Sequence, residues 1–384
     1  MPSDVRTVLR GAAARPARPL DLERAMRRGD QLRLRRRALM AVIATGLVAT
    51  AAVLAAPVSD LVSRDAPTRP PVTAAVPAED LVVASIEEKT QGGVTEVGVR
   101  AIYLETGDSR LLEVSDFQPG DAQFSLVRTG TGYVYRCESG ACALGGNLRD
   151  ETHSLGEAWC LSPSATEGRV WLAYLDPNSP STVRSMEAIQ EVSLDGEIAV
   201  NSQLPQDRWH CPVGAVNQGV LFSEDDDTVV WDAEAGEVVA RIPGPFPADA
   251  QGDLVAWCDF GCDEGLHVTD IATGEDVTIE SDGAFRWAET FDGTFSPDGS
   301  LLALPVMTEG AELPNRVALV DVEQRTARLL HDDLRIGGPM DWSSSGERLF
   351  IVVGNGRIAV YDAASGELQE VAVDAPEIFD MATR

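Results

Sequence analysis

A degenerate repeat in the C-terminal half constrains the fold more than any other feature of this sequence. Four segments share one pattern, in which an alternating apolar strand is followed by an aspartate, a short polar turn and a second strand. The segments are TVVWDAEAGEVV (228–239), LHVTDIATGEDV (266–277), VALVDVEQRTARLL (317–330) and IAVYDAASGELQEV (358–371). Their aspartates, at intervals of 38, 51 and 41 residues, are Asp232, Asp270, Asp321 and Asp362. One supersecondary unit recurring at this spacing predicts a repeat architecture.

Two further segments complete the repeating unit. FSPDGSLLALPV (295–306) and DWSSSGERLFIVV (341–353) each predict a strand, a tight turn containing glycine, and a more apolar strand. A unit therefore has four strands and about 40–45 residues, the period of a propeller blade. The S-P-D-G turn and the apolar-apolar-Trp/Tyr-Asp ending resemble the WD40-like and TolB-like β-propellers, most strongly over 219–375.

This resemblance implies an all-β propeller over residues 79–384. Division into seven four-stranded blades gives about 44 residues each, which fits the period better than six or eight blades. The expected blades are 79–115, 116–150, 155–203, 208–243, 249–281, 291–331 and 338–374. The first lacks an innermost strand, and residues 378–381 resemble residues 339–342, the innermost strand of the last blade. We therefore expect the C-terminal residues to complete the first blade and close the ring; the alternative is a frayed tail.

The charge is divided unevenly along the chain. The net charge is −30, but residues 1–37 contain eleven arginines and carry +7, whereas the remainder carries −37. A polyanionic domain excludes nucleic-acid binding, which needs a basic surface. The single lysine and the preference for arginine are typical of a high-GC bacterium.

An uncharged segment at 38–59 follows the basic residues directly. Its 19-residue core, 38–56, would span roughly 30 Å as a helix, which predicts a transmembrane helix. The flanking arginines predict a cytoplasmic N-terminus and an extracytoplasmic C-terminal domain, so we expect a single-pass protein of the cell membrane. A cleaved signal peptide is the alternative. Five prolines within 57–78 predict an extended linker between the helix and the propeller.

All six cysteines follow the apolar segment, in the compartment where disulfides persist. Spacing favours the pairs Cys137–Cys142, Cys160–Cys211 and Cys258–Cys262, although six cysteines allow fifteen pairings. A zinc site formed by Cys258, Cys262 and His267 is the alternative for the last pair.

A possible binding face follows from the propeller resemblance. Loops that enter each blade, and loops between its second and third strands, crowd one face and bring acids and aromatic residues together. These candidates are Trp209, Asp225, Asp226, Asp227, Phe246, Phe260, Asp332 and Asp333. Such a rim could bind a basic protein segment or a calcium ion, although a domain of this charge also carries acids on every face.

Motifs of catalysis and nucleotide binding are absent from the sequence. There is no His-Glu-x-x-His, Gly-x-Ser-x-Gly or Gly-x-x-x-x-Gly-Lys motif, so no catalytic residue, cofactor or metal is assigned. We expect a non-enzymatic platform that binds an envelope protein, peptide or other ligand. Two alternatives remain: a hydrolase or lyase acting on envelope glycan or peptide at the central channel, and a transmembrane regulator that uses its basic N-terminal segment.

Overall fold

The computed structural model describes most residues from 81 onward. The described ranges are 81–89, 95–115, 126–130, 132–137, 140–146, 148, 152–175, 186–205, 211–244, 247–259, 262, 265–281, 283–288, 293–311, 313–354, 356–373 and 378–383. Their regular secondary structure consists of 29 β-strands, with no helix among them. The all-β prediction is therefore confirmed, whereas the segments 1–37, 38–59 and 57–78 lie outside the described residues.

The described strands form seven antiparallel sheets, numbered here in chain order. Sheet 1 contains β1 (Leu81–Lys89), β2 (Thr95–Tyr103), β3 (Ser109–Ser115) and β29 (Ile378–Thr383). Sheet 2 contains β4 (Leu126–Thr129), β5 (Gly132–Cys137), β6 (Gly140–Gly145) and β7 (His153–Gly156). Sheet 3 contains β8 (Cys160–Pro163), β9 (Arg169–Leu175), β10 (Met186–Ser193) and β11 (Ile198–Gln203). Sheet 4 contains β12 (Gly214–Val216), β13 (Gly219–Glu224), β14 (Asp227–Asp232) and β15 (Glu237–Pro243).

The remaining sheets follow the same order. Sheet 5 contains β16 (Pro247–Gln251), β17 (Leu254–Cys258), β18 (Leu266–Asp270) and β19 (Glu275–Ile279). Sheet 6 contains β20 (Arg286–Trp287), β21 (Thr294–Phe295), β22 (Leu301–Met307), β23 (Arg316–Asp321) and β24 (Thr326–Leu329). Sheet 7 contains β25 (Met340–Trp342), β26 (Arg348–Val352), β27 (Arg357–Asp362) and β28 (Leu368–Ala372).

The sheets are arranged in a closed ring. One edge strand of each sheet lies innermost and contacts its counterparts in the neighbouring sheets, in the order β29, β4, β8, β12, β16, β21, β25 and back to β29. A layer of buried apolar side chains lies between each sheet and the next, and another lies between sheet 7 and sheet 1. Sheets packed radially about a central channel define a β-propeller.

The repeated aspartates end the third strands of sheets 4 to 7. Each carboxylate accepts backbone N–H groups from the turn that follows, as Asp362 does from Ser365 at 2.8 Å and Asp270 from Thr273 at 3.0 Å. These bonds satisfy donors that the tight turn would otherwise leave unpaired. The turn glycine four residues later has a φ between 70° and 73° in three copies, a conformation that suits glycine.

The C-terminal strand completes sheet 1, as the resemblance between 378–381 and 339–342 predicts. β29 pairs antiparallel with β1, with Ala382 opposite Val83 and Met381 opposite Ala84. Sheet 1 is thus built from both ends of the described chain. Strand pairing between the two ends closes the ring and covers an edge that would otherwise be exposed.

Three predicted boundaries are wrong. Sheet 5 begins at Pro247 rather than at 249. The fourth strand of sheet 2, β7, lies at 153–156, beyond the expected end at 150, and its pairing with β6 contains a register shift between Ala141 and Cys142. Sheet 6 begins at Arg286 rather than at 291, because the seven-residue strand β22 pairs with β20 at one end and β21 at the other.

Candidate functional site

The antiparallel order gives the ring two different faces. The turns that join the first strand to the second and the third to the fourth lie on one face, here called the hairpin face. The connections from the second strand to the third, and from one sheet to the next, lie on the opposite face, here called the crossover face. Those residues of the predicted binding face that the structure describes can be assigned to one of these faces.

A large cavity lies in the channel and opens toward the hairpin face. Its volume is about 1110 Å³, and innermost strands and first turns of sheets 1, 2, 3, 5, 6 and 7 line it. The charged side chains that line it are Arg128, Glu167, Arg169, Asp249, Asp341 and Asp380. Charged groups from six strands or turns thus converge on one concave site, the usual setting of a ligand-binding site.

Three channel aspartates connect neighbouring sheets. Asp249 of β16 accepts the backbone N–H of Phe295 in sheet 6 at 2.6 Å. Asp341 of β25 accepts the N–H of Thr383 in sheet 1 at 2.7 Å, and Asp380 of β29 accepts the N–H of Leu126 in sheet 2 at 3.0 Å. Because the innermost strands of different sheets do not pair with one another, these carboxylates satisfy donors that strand pairing leaves free.

Among the arginines that line the channel, Arg128 is the one that interacts with Asp341. Its guanidinium donates to the carbonyl oxygens of Trp342 and Thr383, both at 3.3 Å, and its charge favours ionised Asp341. Arg169, the other lining arginine, is paired with the buried carboxylate of Glu191 at 3.3 Å.

The channel holds its carboxyl groups at unusual protonation states. Burial raises the pKa of Asp249 to about 7, with a further rise from the negative charge of Asp341, against the lowering effect of its hydrogen bonds to Phe295 and Ala250. Burial also raises the pKa of Asp341, although Arg128 and the hydrogen bonds from Thr383 oppose that rise. Asp249 therefore retains its proton below a pH of about 7.

The sequence-predicted binding face lies on the other side of the ring. The turn between β13 and β14 contains Asp225 and Asp226, and Asp227 begins β14. The connection between β24 and β25 contains Asp332 and Asp333. All five aspartates are therefore on the crossover face. The guanidinium of Arg241 lies 3.9 Å from a carboxylate oxygen of Asp227 and 2.5 Å from one of Glu224. It therefore neutralises part of the negative charge at the β13–β14 turn. Trp209, Phe246 and Phe260 lie outside the described residues.

The channel residues were not among the sequence candidates. A signal for two of them was present, because the resemblance between 378–381 and 339–342 aligns Asp380 with Asp341. Asp249 and Arg128 had no such signal, since the first strands of sheets 5 and 2 share no motif with those copies.

The structure contains the three disulfides that spacing favours. Cα atoms lie 5.9 Å apart in Cys137–Cys142, 5.6 Å apart in Cys160–Cys211 and 4.9 Å apart in Cys258–Cys262. The zinc alternative is wrong as stated, because both of its cysteines are in a disulfide and His267 bonds to Asp276 at 3.0 Å and stacks on Trp257. Among the described residues, no group of three or more His, Cys, Asp or Glu side chains could hold a metal ion.

A second, smaller cavity of about 380 Å³ lies between the outer strands of sheets 4 and 5, beside Trp257, Arg241 and Asp276. It is lined by two sheets only. The channel is therefore the stronger candidate, since it is larger and gathers charged groups from across the ring.

Comparisons with known proteins add little to this geometry. No protein-family model matches the chain, and no curated protein does. Among solved structures, a chain in the crystal structure of the mitotic checkpoint complex is similar to it, with a TM-score of 0.45 and 14% identity, over 85% of this chain and 100% of that one. Within the part of the chain that the structure describes, no helix is long and apolar enough to cross a membrane.

Proposed function

We propose that this protein is a binding platform, a seven-bladed β-propeller whose central channel receives a protein segment or small ligand from the hairpin face. The observation that carries the proposal is the cavity of about 1110 Å³ on which charged side chains of several sheets converge. Propellers present such concave sites without moving their scaffold.

The channel has the chemistry for a polar ligand. Asp249 offers a proton donor below a pH of about 7, the carboxyl oxygens of Asp341 can accept hydrogen bonds, and Arg128 places a cation on the same wall. A ligand that carries both donors and acceptors could pair with all three groups.

We also propose that residues 38–59 anchor the propeller in the cell membrane, with residues 1–37 in the cytoplasm and the propeller outside. The proposal is supported by the length of the uncharged segment and by the arginines on one side of it. Three disulfides in the propeller agree with an oxidising compartment.

Site-specific photo-cross-linking in the native membrane tests the binding site. A photoreactive amino acid replaces Ser344, an exposed residue that lines the cavity, or Asp332, an equally exposed residue on the crossover face. We expect a cross-linked partner from position 344 and not from position 332. Cross-linking from 332 alone would instead support the acidic rim on the crossover face.

Labelling with a membrane-impermeant thiol reagent tests the topology. A cysteine introduced at Asp332 should react in intact cells, whereas one introduced at Ser3 should react only after the cells are opened. Equal reaction of both positions in intact cells would contradict the proposed anchor.

A channel-site hydrolase or lyase is the second candidate, favoured by one observation. Burial raises the pKa of Asp249 to about 7, whereas Arg128 opposes the rise for Asp341, and two carboxyls with such different surroundings can supply a general acid and a general base. If this candidate is correct, cell-wall glycan incubated with the protein releases reducing ends, and Asp249→Asn abolishes the release while Asp321→Asn does not. No release with the unsubstituted protein would exclude glycan hydrolysis.

A further inference from the structure

Thr294 is a channel residue whose hydroxyl has no hydrogen-bond partner in the protein. It lies on β21, lines the cavity and is only 9% exposed. Its carbonyl oxygen accepts the indole N–H of Trp342 at 3.0 Å, but its hydroxyl makes no hydrogen bond within the part of the chain that the structure describes. Because buried hydroxyl groups normally have a partner, this one indicates a group that the channel wall does not itself supply.

Two carboxyl groups belong to the strands on either side of Thr294. The innermost strands β16 and β25 both contact β21. Asp249 of β16 accepts the N–H of Phe295, the residue after Thr294, at 2.6 Å. Asp341 of β25 directly precedes Trp342, whose indole donates to Thr294. Asp249, Thr294 and Asp341 all line the cavity, and we call these three residues the acceptor wall.

The two carboxyl groups of the acceptor wall retain capacity to accept hydrogen bonds. Asp249 accepts two backbone N–H groups, and Asp341 accepts three donors from Thr383 and Trp342. An ionised carboxylate has about four acceptor positions, so each of the two can accept at least one further donor.

The cavity has an excess of negative charge. Among the described residues, four carboxyl groups line it, against two arginines. Arg169 is neutralised by Glu191 at 3.3 Å, and Arg128 already donates to the carbonyl oxygens of Trp342 and Thr383. A cation is therefore electrostatically complementary to this site, whereas an anion is not.

We propose that the acceptor wall binds a primary ammonium group, such as that of a lysine side chain. The inference rests on the proposed binding function of the channel and specifies its ligand chemistry. An ammonium group has three N–H donors, which match the two carboxyl groups and the hydroxyl oxygen of Thr294. Its charge also favours the ionised form of Asp249, because an opposite charge nearby stabilises a carboxylate.

A fluorescence titration of the full-length protein in a non-ionic detergent tests the proposal. The fluorophore is attached to a cysteine introduced at Ser344, an exposed residue that lines the cavity; the native cysteines are in disulfides. The titration is run at pH 8, above the pKa of about 7 that burial gives Asp249. The probes are the peptide acetyl-Gly-Gly-Lys-Gly-Gly-amide, the same peptide with norleucine in place of lysine, and n-butylamine.

We expect the lysine peptide to bind at least roughly tenfold more tightly than the norleucine peptide, which has a side chain of similar length without the charge. Tighter binding of the lysine peptide than of n-butylamine would indicate a protein segment as the source of the ammonium group. The reverse order would indicate a free amine, and both orders support an ammonium site.

Variants of Thr294 separate the acceptor wall from general attraction to an acidic domain. Thr294→Val removes the hydroxyl without changing any charge, so it should weaken binding of the lysine peptide by roughly tenfold. Thr294→Ser keeps a hydroxyl and should bind nearly as well as the unsubstituted protein. Thr326→Val makes the same change at an exposed position of β24, in the same sheet, and should leave binding unchanged.

Three results would overturn the proposal: equal affinity for the lysine and norleucine peptides, no binding of any of the three probes, or unchanged affinity for the lysine peptide in Thr294→Val. If Thr294→Val does not fold, the comparison of the two peptides in the unsubstituted protein decides the question. Capture of a partner by photo-cross-linking at position 344, without a preference for the lysine peptide, would leave the binding site standing and reject the ammonium group alone.

Discussion

Aspartate has two different roles in this molecule. In the turns of sheets 4 to 7 it is half-buried and accepts backbone N–H groups within its own hairpin, and these bonds lower the pKa of Asp362. In the channel it accepts N–H groups of the neighbouring sheet, and burial raises the pKa of Asp249 and Asp341. The same carboxylate thus shapes a turn in one place and joins sheets in the other.

Arg325 provides a test of the turn geometry. It occupies the position that is glycine in the other three copies, and its φ of 56° is unfavourable for a residue with a β-carbon. Arg325→Gly should therefore raise the free energy of unfolding by about 1 kcal/mol, since its exposed ion pair with Glu275 contributes little. Urea denaturation measures the difference, and Arg325→Lys, which keeps the β-carbon, should show no gain.

Asp362 tests the role of the repeated carboxylate. Asp362→Ala removes the acceptor for the backbone N–H and hydroxyl of Ser365 and should cost about 1 kcal/mol. Asp362→Asn keeps an acceptor oxygen and should cost less. An equal loss in both variants, measured by thermal unfolding, would show that charge rather than turn hydrogen bonding matters.

At the level of the elements, the disulfides differ in what they connect. Cys160–Cys211 joins the innermost strand of sheet 3 to the chain entering sheet 4, across 51 residues, whereas Cys137–Cys142 lies within the β5–β6 hairpin and spans only 5. Because Cys160–Cys211 closes the longer loop, it restricts the unfolded chain more strongly.

Removal of each bond should show this difference. Chain entropy predicts a loss of about 4 kcal/mol for Cys160→Ala with Cys211→Ala and about 2 kcal/mol for Cys137→Ala with Cys142→Ala. Comparison of the two double variants by denaturant unfolding measures it. An equal or larger loss for the hairpin pair would contradict the entropic account.

The strands could be predicted wherever a local signal repeats. Asp232, Asp270, Asp321 and Asp362 end four third strands as the pattern predicts, and the copy at 378–381 indicates the closing strand. The β7 boundary was missed because the turn before it lacks the Asp-x-x-x-Gly pattern of the later sheets. Local hydrogen bonding is readable from sequence, whereas a long turn of variable length is not.

For the whole molecule, the functional site could not be predicted in the same way. Asp249, Asp341 and Arg128 come from sheets 5, 7 and 2, and only closure of the ring brings them together. The sequence instead indicated the acidic loops of the crossover face, because acids are abundant there. The positions of acids in the sequence do not show which of them converge in the folded ring.

The protonation of the channel should be visible in overall stability. The folded pKa of Asp249, about 7, exceeds its ordinary value of 3.8, so its stabilising effect is present at acidic pH and is lost as the pH rises through about 7. The thermal midpoint should fall between pH 5 and pH 8 in the unsubstituted protein, and this fall should be smaller in Asp249→Asn. A fall of the same size in that variant would assign the effect to other groups.

The channel and the proposed binding site both depend on closure of the ring by the C-terminal strand. Ala84 and Met381 lie directly opposite each other in the β1–β29 pair, so cysteines at both positions should form a disulfide. Peptide mapping under non-reducing conditions should recover residues 84 and 381 in one linked pair, with the three native disulfides intact and each single variant retaining a free thiol. Free thiols at both positions in the double variant would show that the strand does not close the ring.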